Sequence, residues 1–158
     1  MPRKVAQRWR KAMPAQGERM KLSSKEREAL KQMFGGRCAY CGWKLDTRWC
    51  ADHVAPIYRK MKLVKAGTGE YTHKLVATGE LYHPERDTKD NLFPCCAACN
   101  IHKSSLALET WRSQLEDIIG ILRRGYPTFR HAVRFGQVIE RPGPIVFFFE
   151  QYRKQTQA

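Results

Sequence analysis

Between Ser23 and Gly36 the apolar positions Ala29, Leu30, Met33 and Phe34 recur at helical spacing, and Ser23 followed by Glu26 forms a capping box ahead of them. Gly35 and Gly36 stop the turn, so a helix of about ten residues is expected here. The stretch TRWCADHVAPI, with Trp49 and Val54, favours a strand ending near Pro56. Residues 57–90 read as an excursion: a basic stretch, YRKMKLVK, precedes two runs, EYTHKLVA and ELYH, which Thr78 and Gly79 separate as the turn of a hairpin. The most regular segment is 106–124, where Trp111, Leu115, Ile118, Ile119 and Leu122 follow the helical period. Glu109, Glu116 and Asp117 lie before Arg123 and Arg124, the order a helix dipole favours, and Gly125 is placed to cap the end. TFRHAVRFG predicts a shorter helix capped by Thr128, and PIVFFFEQY a strand or a buried run. Short strands set among helices make the expected class α+β.

A chain of 158 residues holds one domain with a modest core, or a small core carrying extensions. Lys and Arg outnumber Asp and Glu by 29 to 15, and a net charge of +14 on so small a protein points to a polyanionic partner, nucleic acid first. Residues 1–35 are the most basic part, with ten basic against three acidic side chains. Residues 1–21 also contain Pro14 and Gly17 and lack periodicity, which reads either as a flexible arm that orders on a phosphate backbone or as a solubilising tail. The start shows no signal-peptide core and no run reaches the length of a membrane span, so a soluble, cytoplasmic protein is expected.

In that setting six cysteines are metal ligands or buried thiols rather than a disulfide framework. Cys38-x-x-Cys41 and Cys96-x-x-Cys99 together supply the four thiolates of a tetrahedral zinc site, and Gly36 and Gly42 flank the first pair with the freedom a tight chelate turn needs. Buried free thiols would explain the cysteines but not their spacing. Cys95 offers an alternative, Cys95-x-x-x-Cys99, although Cys96 repeats the spacing of the first pair. Cys50, in the expected strand, reads as a buried core thiol. Four thiolates saturate zinc and leave no open position, so any catalysis needs other residues.

Those residues lie close by. Asp52 and His53 stand between the two cysteine pairs, and Asn100 directly follows the second. A carboxylate and an amide oxygen are hard ligands suited to magnesium or manganese, and a neighbouring histidine can act as a base. The segments CAYC, ADHVAPI, NLFPCCAAC and NIHK, in that order over residues 37–106, resemble the HNH, ββα-metal or His-Me finger, endonucleases, in the subgroup with a four-cysteine zinc site. The resemblance implies an HNH core over 36–106 with an insertion at about 57–90, an N-terminal arm and short helix over 1–35, and a C-terminal helix and extension over 107–158. It places a metal-ligating acid on Asp52, the general base on His53, the asparagine that fixes the base-bearing loop on Asn91, and the last ligand of a catalytic Mg²⁺ or Mn²⁺ on Asn100. A basic residue one helical turn on falls on Lys103, which is either a phosphate contact or a solvated lysine. The 37 residues between His53 and Asn91 are more than this family's hairpin requires. Arg59, Lys60, Lys62 and Lys65 near the start of that insertion are candidate DNA contacts.

The implied activity is hydrolysis of a DNA phosphodiester by a monomer or homodimer: His53 deprotonates the attacking water, a Mg²⁺ between Asp52 and Asn100 stabilises the scissile phosphate, and 5′-phosphate and 3′-hydroxyl ends result. A zinc module that only binds nucleic acid accounts for the charge and cysteines but leaves Asp52, His53, Asn91 and Asn100 without a role. A junction-resolving endonuclease acting as a dimer on branched DNA keeps the chemistry and changes the substrate. Small size and a basic arm suit a phage or mobile-element protein.

Overall fold

The expected capping box forms. Ser23 Oγ accepts from the Glu26 backbone N–H, and the Glu26 carboxylate accepts from the Ser23 backbone N–H at 2.9 Å, which starts helix α1 (Ser24–Lys31). The computed structural model describes residues 20–66 and 73–156, so the basic arm, apart from its last two residues, lies outside the described residues. A short 3₁₀ turn, Gln32–Phe34, extends α1 and ends on Gly35 at φ 61°, a left-handed conformation that glycine adopts without a Cβ penalty.

Strand β1 (Cys50–His53) pairs antiparallel with β4 (Leu92–Cys95), setting Cys50 opposite Cys95 and His53 opposite Leu92. Helix α2 (Ala97–Lys103) follows β4 after a single residue and packs back on β1. The result is two antiparallel strands and a helix, all short.

Between them runs a second antiparallel pair, β2 (Arg59–Lys65) with β3 (His73–Leu81), and here the sequence expectation is corrected. EYTHKLVA and ELYH do not form the two arms of a hairpin. From His73 to Leu81 they are one strand, and its partner is the basic stretch. Thr78 and Gly79 mark a shift of register rather than a turn: Arg59 opposes Leu81 and Met61 opposes Ala77, so β3 carries the extra residues. Gly79, at φ 89°, allows the distortion. A Gly-containing step reads alike as a turn or a bulge until a partner strand is known.

The long helix expected over 106–124 is broken in two, α3 (Leu108–Glu116) and α4 (Ile118–Gly125), at Asp117. The apolar period continues across the break, which is why it is invisible in the pattern. Helix α5 (Pro127–Arg134) is capped by Tyr126 with Pro127 in its first turn, rather than by Thr128. In PIVFFFEQY the residues up to Phe147 form no strand and the chain then enters α6 (Phe148–Thr156); Phe147 and Phe149 are buried while Pro144 and Val146 are exposed, so the segment is neither a strand nor a wholly buried run.

One hydrophobic cluster joins these parts: Leu30 and Phe34 from the first helix, Tyr40 and Leu45 from the cysteine loop, Leu92 and Phe93 from β4, Trp111 from α3, and Phe147 and Phe149 from the C-terminal segment. Trp111 stacks on Phe147 at 5.3 Å between ring centroids and meets Tyr40 edge-on at 5.0 Å. The C-terminal segment also adds backbone pairing, Phe148 N–H to Tyr40 O at 2.9 Å and Phe149 N–H to Ala39 O at 2.7 Å. The loop that carries the first cysteine pair is thereby held between the first helix and the C-terminal segment.

Candidate metal centre and catalytic cavity

Cys38-x-x-Cys41 sits in a tight turn between Arg37 and Lys44, which bridge as an isolated strand pair. Cys38 N–H donates to Trp43 O at 2.8 Å and Gly42 N–H to Cys38 O at 3.0 Å. Gly42 has φ 73°, and a Cβ there would stand 2.9 Å from the Phe148 ring, so both conformation and space demand glycine. Ala39 N–H donates to Pro94 O at 2.8 Å, tying this turn to β4 and so to the second pair, where Cys96 is the N-cap of α2 and Cys99 lies in its first turn.

The sulfurs of Cys38, Cys41, Cys96 and Cys99 all lie within 4.8 Å of one another. A tetrahedron with metal–sulfur bonds of about 2.3 Å has edges of about 3.8 Å. The Cys41 and Cys96 sulfurs are 3.8 Å apart. Ionisation is divided unevenly among the thiols. A hydrogen bond from Cys99 pulls Cys38 down to about 5, burial pushes Cys41 up to about 11, and the same Cys38–Cys99 contact with burial drives Cys99 higher still. Without a cation one thiolate suppresses its neighbours; a metal ion that shares their charge lets all four ionise.

The ambiguity over Cys95 is removed by the alternation of β4. Cys95 is fully buried and faces the core, its thiol held protonated first by burial and then by the charge of Asp52. Cys50 is half-buried and packs against the core rather than lying wholly within it.

A cavity of about 760 Å³ opens beside this centre, and its wall includes Asp52, His53 and Asn100 together with Asp87, Tyr58 and Arg59. Adjacent residues of a strand point to opposite sides. Asp52 accordingly turns inward and is 6 % exposed, while the His53 side chain keeps 23 % of its surface open. Asp52 Oδ2 accepts from Tyr40 Oη at 2.5 Å and from Lys103 Nζ at 2.9 Å, and Oδ1 has no protein partner among the described residues. Burial first, and then the Asp52 charge, raise the Tyr40 phenol well above its usual range, so it stays a donor. Asn100 Oδ1 accepts from the Cys95 thiol at 3.9 Å.

Lys103 requires a correction. It is 1 % exposed, and its ammonium binds Asp52 and the His53 carbonyl, the latter at 2.8 Å, so it is neither a solvated lysine nor one presented to a phosphate backbone. One turn after Asn100, it points into the sheet because α2 lies on β1. Removing one member of a buried ion pair strands the other. The variant Lys103→Met is expected to lose about 3–5 kcal/mol of unfolding free energy. Adding Asp52→Asn should recover much of that loss in denaturant titrations, and additive losses would refute the coupling.

Asn91 lies at the end of a 3₁₀ turn directly before β4. Its side chain makes three hydrogen bonds: Oδ1 accepts from Ala55 N–H at 2.9 Å, and Nδ2 donates to Ala55 O and to Arg86 O, both at 2.8 Å. Its backbone carbonyl takes Val54 N–H at 2.9 Å. The segment leaving His53 is thus clamped to the segment that carries Asp87.

Asp87 is a residue that sequence reasoning missed. It is 6 % exposed; Oδ1 lies 2.9 Å from His53 Nε2, and Oδ2 accepts from Met20 N–H at 3.1 Å. An acid inside an insertion of uncertain course, 34 positions from the histidine, carries no local signal. His102 accepts from Trp111 Nε1–H at 2.7 Å on its Nδ1, away from the cavity wall, as its position on α2 suggested.

Both non-glycine residues with positive φ among the described residues, Tyr58 at 35° and Ser104 at 49°, also stand in the cavity wall. Strain of this kind costs on the order of 1–3 kcal/mol per residue and concentrates at functional sites. Arg59 is exposed at the cavity rim, whereas Lys60 is paired with Glu80 at 3.0 Å. No helix among the described residues is long and apolar enough to cross a membrane.

The described chain is therefore a mixed α and β fold with small two-stranded sheets and four cysteines clustered at metal-binding distance. Comparison with protein-family models, with curated proteins and with solved structures finds no match.

Proposed function

We propose that this chain is a metal-dependent DNA endonuclease of the HNH type, built on a structural zinc site and hydrolysing phosphodiester bonds with His53 as general base. The observation that carries the reading is the meeting of Asp52, His53 and Asn100 in one cavity wall, with Asn91 clamping the loop behind the histidine. The order strand, strand, helix in β1, β4 and α2 is the order the resemblance implied.

Four thiolates fit zinc: soft ligands, the right edge length, and no open position. The second site fits a harder ion, since Asp52 Oδ1 has no protein partner among the described residues and the Asn100 amide oxygen accepts a single long bond from the Cys95 thiol at 3.9 Å. What a Mg²⁺ or Mn²⁺ held by these two residues supplies is positive charge beside the scissile phosphate and the leaving 3′ oxygen.

The rest of the chemistry belongs to the chain. The Asp87 carboxylate accepts from His53 Nε2–H, which fixes the ring and leaves Nδ1 with the lone pair that takes a proton from water. That water attacks the phosphorus, and the bond to the 3′ oxygen breaks; the departing oxygen takes a proton from solvent water, giving 5′-phosphate and 3′-hydroxyl ends. Lys103 and Tyr40 keep Asp52 from rotating, and Asn91 holds His53 and Asp87 in one frame.

Cleavage of supercoiled plasmid in Mg²⁺ or Mn²⁺ tests the proposal; a chain that carries zinc, folds, and leaves plasmid, branched and modified DNA intact does not support it. In the same assay Asn91→Ala is expected to cut about 10²-fold more slowly, the order of loss that a misplacement of about 1 Å brings. Its DNA affinity should change little, so a loss confined to binding would rule out the clamp.

A further inference from the structure

We propose that the β2–β3 ribbon is the arm by which this chain grips double-stranded DNA, applying one particular face, that of Lys60, Lys62 and Lys74, to a groove. This rests on the nuclease reading of the cavity and names the form of its substrate.

Side chains alternate across an antiparallel pair and directly opposed residues share a face. The register sets Lys62 opposite Val76 and Val64 opposite Lys74, which groups Lys60, Lys62 and Lys74 with two half-buried valines. Met61 opposite Ala77 and Leu63 opposite Leu75 make up the other face, where Leu63 is 62 % and Leu75 64 % exposed. The two strands carry Arg59, Lys60, Lys62, Lys65 and Lys74 against a single acid, Glu80, an excess of four positive charges. Glu80 is spent on Lys60, and among the described residues Lys62 and Lys74 have no carboxylate partner. A polyanion is the complementary surface.

Geometry favours a duplex. A seven-residue strand at about 3.3 Å per residue spans about 23 Å, and a two-stranded ribbon fits a major groove about 12 Å wide with its lysines reaching the phosphates on either side. Single strands are instead held by stacking bases on aromatic rings, and neither strand contains Phe, Tyr or Trp. The foot of the ribbon is continuous with the cavity: Tyr82 N–H donates to Tyr58 O at 2.9 Å, and Tyr58 and Arg59 line the wall beside His53. A duplex lying along the ribbon is led to the candidate catalytic residues.

The test is binding, separate from cutting. In the full zinc-loaded chain carrying His53→Ala, affinity for a short blunt duplex and for a single strand of the same sequence is measured against salt concentration by fluorescence anisotropy. Adding Lys62→Gln with Lys74→Gln is expected to weaken duplex binding and to flatten the slope of log K against log salt by about 1.8, the loss of two phosphate contacts. Adding Leu63→Ser with Leu75→Ser on the opposite face should leave both unchanged. An unaltered slope in the lysine variant, a loss confined to the leucine variant, equal loss on the single strand, or no duplex binding at all each overturns the arm. The two proposals fail apart: a chain with His53 intact that cuts no DNA while the lysines govern duplex affinity removes the nuclease and keeps the arm, and Lys62→Gln with Lys74→Gln placed in the chain with His53 intact that binds and cuts as the wild type does has the reverse meaning.

Discussion

A His53→Ala variant is expected to bind DNA as the wild type does and to cleave supercoiled plasmid about 10²–10⁴-fold more slowly, the range a general base contributes. The substitution removes an imidazole that faces the cavity and holds its Nε2 against Asp87 at 2.9 Å. It leaves the packing largely intact, because the side chain is partly open and His53 joins β4 through its backbone. Zinc content should match the wild type and thermal unfolding should fall only modestly, since Asp87 loses the imidazole but keeps its bond from Met20 N–H, and a retained fold lets lost cleavage be assigned to chemistry. Asp87→Asn should be slower too, but by less, because an amide still bonds the ring while no longer favouring the tautomer with hydrogen on Nε2. If His53→Ala cuts at the wild-type rate, His53 is not the base; if neither chain cuts plasmid, branched or modified DNA, the non-catalytic zinc module becomes the better account of the chain.

The second large effect concerns the metal. Stripping zinc with a chelator, or replacing Cys96 by serine, is expected to unfold the core rather than merely silence a site. Structural zinc contributes an apparent binding free energy of about 10–16 kcal/mol, as large as the whole stability of a domain, about 5–15 kcal/mol. The architecture makes the dependence severe. The first cysteine turn carries Ala39 and Tyr40 into the central cluster, donates a backbone bond to β4 and accepts two from the C-terminal segment, while Cys96 is the residue from which α2 starts. Loss of the ion leaves four thiols that repel one another once ionised and frees α2 from β1, and with α2 go Asn100 and Lys103. Zinc stoichiometry and far-ultraviolet circular dichroism of Cys96→Ser and Cys95→Ala check this. The first should lose the ion and the fold; the second should keep one zinc per chain and pay only for a small buried cavity. Retention of zinc by Cys96→Ser with its loss from Cys95→Ala would reverse the ligand set.

The candidate site was legible to the extent that it depends on neighbours in the chain. Two Cys-x-x-Cys pairs, an acid next to a histidine, and an asparagine after the last cysteine are local patterns, and the structure gathers the four cysteines and lines one cavity with Asp52, His53 and Asn100. Asp87 was not legible, because its partnership with His53 depends on how residues 57–90 return to the sheet. Lys103 was legible as one turn beyond Asn100, but its burial follows from α2 packing on β1, which no spacing reveals.

The capping box of α1, the apolar face of 106–124 and the cysteine spacing were decided by the sequence alone, since each rests on bonds or periodicities within a few residues. Tertiary structure decided that His73–Leu81 forms one strand against Arg59–Lys65, that the helix breaks at Asp117, and that Phe147 and Phe149 close the core beside the cysteine turn. Those outcomes turn on which distant segment covers an apolar face or completes a backbone ladder. The free energy of such pairing belongs to both partners at once and is written in neither segment by itself.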